Sequence, residues 1–215
     1  TITRTWTYTD ACGNPGSATQ TITVDDTTDP TFAAAPADVT VECVGDVPAM
    51  TNLTWTDNCD GTGNVAGTDG ALTGGACGGT ITRTWTYTDA CGNVGTASQT
   101  ITVDDKTDPT FAAAPADVTV ECVGDVPAMT NLTWTDNCDG TGNVAGTDGA
   151  LSGGACGGTI TRTWTYTDAC GNVGTATQTI TVDDTTDPTF AAAPADVTVE
   201  CVGDVPAMTN LTWTD

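Results

Sequence analysis

One stretch constrains this chain more than any other: Thr80-Ile-Thr-Arg-Thr-Trp-Thr-Tyr-Thr-Asp-Ala-Cys-Gly-Asn93. It occurs three times, starting at Thr1, Thr80 and Thr159, so the chain repeats with one fixed period. From Thr80 to Thr88 every second residue is threonine, with Ile81, Arg83, Trp85 and Tyr87 between. Strict alternation is the signature of a β-strand with one face turned inward and the other outward. Trp85 and Tyr87 are the expected inward anchors, and the threonines the outer face. The following Asp-Ala-Cys-Gly-Asn is a turn, with Gly92 and Asn93 suited to positive φ.

The rest of the period reads the same way. Asp38–Cys43 alternates, placing Val39, Val41 and Cys43 on one face, and Asn52–Cys59 predicts a strand with Leu53, Trp55 and Cys59 inward. Val44–Met50, with Gly45 and Pro48, must turn. Residues 60–79 are rich in glycine and predict two short strands with loops, and 97–103 predicts the last strand of the repeat. Thr31–Ala37 reads as an irregular lead-in. The acidic, proline-closed run Asp25-Asp26-Thr27-Thr28-Asp29-Pro30 reads as a junction between domains. Cutting there gives complete units at 29–107 and 108–186. Residues 1–28 form the C-terminal part of another repeat, and 187–215 the N-terminal part of one more. A unit of this length, with six or seven short strands, is too large for one solenoid coil and fits a small β-sandwich. The expected fold is all-β: tandem immunoglobulin-like sandwiches stapled by disulfides.

Ten cysteines without a single histidine argue against Cys/His zinc sites, and none of the cysteines is spaced C-x2-C. They read instead as a disulfide framework in an oxidising, extracellular compartment. In an immunoglobulin-type sandwich Cys59 and Cys91 fall at one end, while Cys43 meets Cys77 at the other. The expected bonds are therefore Cys43–Cys77 and Cys59–Cys91, and correspondingly Cys122–Cys156 and Cys138–Cys170. A Cys43–Cys91 bond is the alternative, which would leave Cys201 to join Cys12 of another copy.

The chain carries 28 acidic and four basic residues, a formal charge of −24. That surface repels nucleic acid and anionic membranes, and no apolar run approaches the ~20 residues of a membrane span. High charge with few aromatics also suits disorder, but six tryptophans at strand-like positions weigh against it. Catalysis is poorly supplied: with no histidine and one lysine in the whole chain, the usual base and nucleophile pairs cannot be assembled. The expectation is that this is not an enzyme.

Asp38-Val-Thr-Val-Glu-Cys43, Trp55-Thr-Asp-Asn-Cys59, Trp85 through Asn93, and Val103-Asp104 followed by Pro109 together resemble the hyalin-repeat-like, immunoglobulin-type domains. Such domains recur in long secreted and surface proteins of bacteria, notably of the Bacteroidetes type. The resemblance covers every unit and implies adhesin stalks, cell-surface filaments or matrix proteins. The usual junction there resembles Asp-Thr-Thr-Ala-Pro; the extra acid of this chain favours a cation or a solvated hinge.

Calcium is the cofactor for which ligands exist. Asp25, Asp26 and Asp29 recur as Asp104, Asp105 and Asp108 and as Asp183, Asp184 and Asp187. Each trio gathers three carboxylates, the hard oxygen ligands calcium takes, in one short run of chain. A second cluster comprises Asp57, Asn58, Asp60 and Asn64, with Asp89 near in space. The plain alternative is that these groups cap turns and keep the surface soluble. Asn52, Asn131 and Asn210 open N-glycosylation sequons on outward positions. The expected partner is the chain itself, by end-to-end, lateral or strand-adding assembly, with glycans second. The functional expectation is the shaft of an extracellular filament or adhesin; a carbohydrate- or protein-binding adhesion module, calcium-dependent in one form, is the alternative.

Overall fold

The computed structural model describes residues 1–154 and 157–215, which divide into two compact units, 1–107 and 108–215. In the first, β1 (Ile2–Thr9) and β2 (Pro15–Ile22) form an antiparallel hairpin. Its turn is tied by Asp10, whose Oδ1 accepts the N–H groups of Cys12 (2.9 Å) and Asn14 (2.8 Å). There follow β3 (Thr31–Phe32), β4 (Val39–Val41), β5 (Asn52–Asp57), β6 (Gly61–Ala66), β7 (Thr68–Asp69), β8 (Cys77–Thr88) and β9 (Val94–Asp104).

The strands β3 to β9 make a two-sheet sandwich. One sheet has the order β3-β5-β6 and the other β4-β9-β8-β7. All pairings are antiparallel except β4 with β9, which run parallel at the sheet edge. The alternation in the sequence decides which side chains enter. Ile81, Arg83 and Trp85 are buried along β8, and Ile101 and Val103 along β9. Val39, Val41, Val47 and Leu72 close over Ile81, Ile101 and Val103. Trp85 has no exposed surface, and its Nε1 donates to the Thr51 carbonyl at 2.8 Å. Trp55 of the facing sheet stacks on Tyr87, with ring centroids 3.6 Å apart.

Three elements extend beyond their expected limits. β8 starts at Cys77 rather than Thr80. β9 starts at Val94 rather than 97, because the Asp89–Asn93 turn closes directly onto the ladder. Thr31–Phe32, expected to be irregular, pairs with Trp55 and Thr56, and the Thr31 hydroxyl reaches Thr56.

The second unit repeats the design with β10 (Thr110–Phe111), β11 (Val118–Val120), β12 (Asn131–Asp136), β13 (Gly140–Ala145), β14 (Thr147–Asp148), β15 (Gly158–Thr167) and β16 (Val173–Val182). Its sheets are ordered β10-β12-β13 and β11-β16-β15-β14 around Ile160, Ile180 and Val182. A shorter piece with β17 (Thr189–Phe190) and β18 (Trp213–Thr214) follows. Among the described residues no helix is long and apolar enough to cross a membrane. The identical sequence of β1 shows how far burial depends on neighbours: Trp6 is 55 % exposed and Tyr8 75 %. Both lack the facing sheet that covers their counterparts in β8.

Candidate metal centre and cross-links

Three turns meet at one end of the first sandwich. Asp89 closes β8: its Oδ1 accepts the N–H groups of Cys91 and Asn93, both at 2.8 Å, and its Oδ2 accepts the Asn93 amide at 2.7 Å. Burial works against its charge, but the Asn93 side chain and the surrounding backbone N–H groups outweigh that and hold the carboxyl below its ordinary range. Asp57 ends β5, with Oδ1 accepting the N–H groups of Cys59 and Asp60 at 2.8 Å. Asp26 comes in from the acidic segment after β2. Its Oδ1 accepts the Thr28 N–H and the Asn58 amide, both at 3.2 Å, and its carbonyl accepts the Asn93 amide at 3.0 Å. One carboxylate oxygen from each of Asp26, Asp57 and Asp89 lies within 4.8 Å of the others.

The carboxylates expected to act together in the junction are separated. Of Asp25, Asp26 and Asp29 only Asp26 turns inward; the other two are exposed. Asp104 pairs with Lys106 (2.8 Å), Asp105 is buried and accepts the Thr107 N–H (3.1 Å), and Asp108 accepts the Val173 N–H (3.2 Å). Asp184 is half-buried and accepts the Thr186 N–H (3.2 Å), while Asp183 and Asp187 are exposed. The second expected cluster also splits. Asp57 joins the centre and Asn58 supports it, whereas Asp60 accepts the Tyr87 hydroxyl (3.1 Å) and the Ala90 N–H (3.0 Å), and Asn64 accepts the Thr54 hydroxyl across the ladder. Asn93 is an addition to the centre that the reading of the sequence does not contain. Its signal is the Asp-x-x-x-Asn spacing, visible also at Asp10 and Asn14.

Among the described residues each unit holds one disulfide: the bonded cysteines are Cys43 and Cys77 in the first, Cys138 and Cys170 in the second. The expected Cys59–Cys91 bond is not formed; both are thiols. The Cys59 sulfur accepts the Asn58 amide at 3.3 Å, and local loss of solvent at the sulfur together with the Asp26 carboxylate pushes its pKa up. Cys59, expected inward with Leu53 and Trp55, falls past the end of β5 and is exposed. Cys122 is also a thiol, and Cys156, its expected partner, lies outside the described residues. Cys12 and Cys201 are exposed thiols. The sequon residues Asn52, Asn131 and Asn210 are all exposed.

Arg83, only 3 % exposed, has a structural role. It forms a fork with Asp69 (2.6 and 2.9 Å) and donates to the carbonyls of Pro48 (2.8 Å) and Ala49 (3.3 Å). The Asp69 hydrogen bond lifts the Arg83 pKa, and the same bond lowers that of Asp69. Arg162 and Asp148 repeat the arrangement.

A family model described as an HYR-like domain with 4 cysteines matches residues 31–103 and again 110–182. No curated protein matches the chain.

Proposed function

Because the chain belongs to the family of HYR-like domains with four cysteines, we propose that it serves as the repeating shaft of an extracellular filament or cell-surface adhesin. Tandem HYR-like domains and disulfides are typical of extracellular and cell-surface proteins, as an adhesion-type repeat module requires. The observation that carries the shaft reading is the register of the two matches. They start at 31 and 110, in step with the repeat of the sequence. Each matched copy has its own two sheets and its own apolar core, so length is added without redesign. Near-identical copies also present equivalent surfaces, which suits association of the chain with itself. No catalytic role is assigned.

Immunogold electron microscopy of the producing cells, with antibodies raised against this chain, tests the reading. Labels repeating along extracellular fibres are expected. Label confined to the cytoplasm, or to dispersed secreted protein without fibres, would overturn it.

A further inference from the structure

We propose that Asp26, Asp57 and Asp89 form a binding site for a hard divalent cation, best suited to calcium, which clips the acidic segment after β2 onto the end of the following sandwich. This goes beyond the shaft reading and does not depend on it.

The geometry is specific. A carboxylate oxygen of each residue lies within 4.8 Å of the other two. Asp26 and Asp89 are more than nine-tenths buried, at 9 % and 6 % exposure. Asp26 and Asp57 each use Oδ1 for local N–H groups, and in both Oδ2 is buried without a hydrogen-bond partner among the described residues. Gathering three carboxylates while leaving two of their oxygens neither solvated nor bonded is unfavourable unless a positive charge joins them. The protein supplies none from its well-placed cations. Of four basic residues, Arg83 is committed to Asp69, Lys106 to Asp104 and Arg162 to Asp148; Arg4 lies on exposed β1.

The donor set selects the ion. Oxygen-only ligands carried on three separate turns suit calcium, which accepts several carboxylates in irregular geometry. Magnesium prefers compact octahedra and keeps its waters. Zinc would favour sulfur and nitrogen ligands, and the three carboxylates offer neither. Asn58 and Asn93 give the site its second layer, since both bind Asp26 and Asn93 also fixes Asp89. The ion would thus hold a segment from before the sandwich against two of its own turns.

Calorimetric titration of the whole chain with calcium chloride, after chelator treatment and in salt of about 0.15 M to suppress diffuse attraction to the acidic surface, tests the site. One period further on, the sequence repeats the three carboxylates as Asp105, Asp136 and Asp168. Variants are therefore compared by the tight calcium bound per chain. Asp57→Asn and Asp26→Asn keep the Oδ1 acceptors of their turns and are each expected to weaken this site more than about tenfold. Asp25→Asn removes the same charge from an exposed neighbour and is expected to bind as the unaltered protein does. Calcium should also raise the melting temperature of the unaltered protein and of Asp25→Asn, less so that of the two site variants. If Asp57→Asn fails to fold by circular dichroism, Asp26→Asn decides. Absence of saturable binding in the unaltered protein, or equal binding in all variants, would overturn the site.

Discussion

At the scale of single residues, Arg83 is the most committed side chain in the repeat. A guanidinium at 3 % exposure is tolerable only because Asp69 and two carbonyls take up its donors. Removing one partner of a fully buried pair costs about 3–5 kcal/mol. Asp69 is about a third exposed, so solvent screens part of the loss. Asp69→Ala is expected to destabilise the first unit by about 2 kcal/mol, read as a lower urea midpoint. The pH dependence follows from the sign of the shift. The Asp69 carboxyl is held low by Arg83, so its contribution is fully present above the ordinary aspartate pKa and disappears as pH falls through the lowered folded value. Asp89, low because Asn93 and nearby N–H groups overcome its burial, behaves alike. The urea midpoint of the unaltered protein should hold from neutral pH to about pH 5 and drop below about pH 4. The gap between it and Asp69→Ala should narrow in acid, and a gap independent of pH would refute the ion pair as the cause.

At the scale of elements, the joint between the acidic segment and the sandwich depends on one missing side chain. Pro30 is buried with its carbonyl against Gly95 on β9, and a methyl group at Gly95 would drive into that oxygen. The obstacle is backbone, so it cannot swing aside. Gly95→Ala is expected to cost about 1–3 kcal/mol, whereas Gly92→Ala, with open space but φ of +96°, loses only turn geometry. Thermal denaturation of the two variants separates the effects. Equal, negligible losses would show that Pro30 does not seat there. Strands of this kind are legible in the sequence because their alternation is strict: β1, β5 and β8 fall where the threonine and tryptophan spacing puts them. The lead-in strand Thr31–Phe32 is not, since so short a pair carries no period and depends on the free edge of β5. The cluster of three carboxylates is half legible for a related reason. Neighbouring aspartates are visible in a sequence, but Asp26 meets Asp57 and Asp89 only when the chain folds back across most of a repeat. Local spacing therefore groups Asp25 and Asp29 with Asp26, and has no means of showing that Cys59 lies against Asp26.

At the scale of the whole molecule, a shaft is judged by how it yields to load, and the disulfides set that behaviour. The bond involving Cys43 and Cys77 closes the stretch between those positions in the first unit, and that of Cys138 and Cys170 closes a stretch of similar length in the second. Residues inside a closed loop cannot extend when the unit is pulled apart. At about 3.3–3.6 Å per extended residue, each bond hides roughly 105–125 Å of chain. Cross-linking also removes unfolded-state entropy worth about 3–4 kcal/mol for loops of this size, so reduction should weaken each unit as well as lengthen its release. Single-molecule pulling on the chain held by its ends measures both. Without reductant, the unfolding of each complete sandwich should appear as a separate step shortened by its locked loop. With reductant, each step should grow by roughly 105–125 Å and occur at lower force. Steps unchanged by reductant would mean that the sulfurs do not carry the load path. A single merged event would mean that the sandwiches do not act as separate bodies, and a shaft built by copying one bead would lose its mechanical basis.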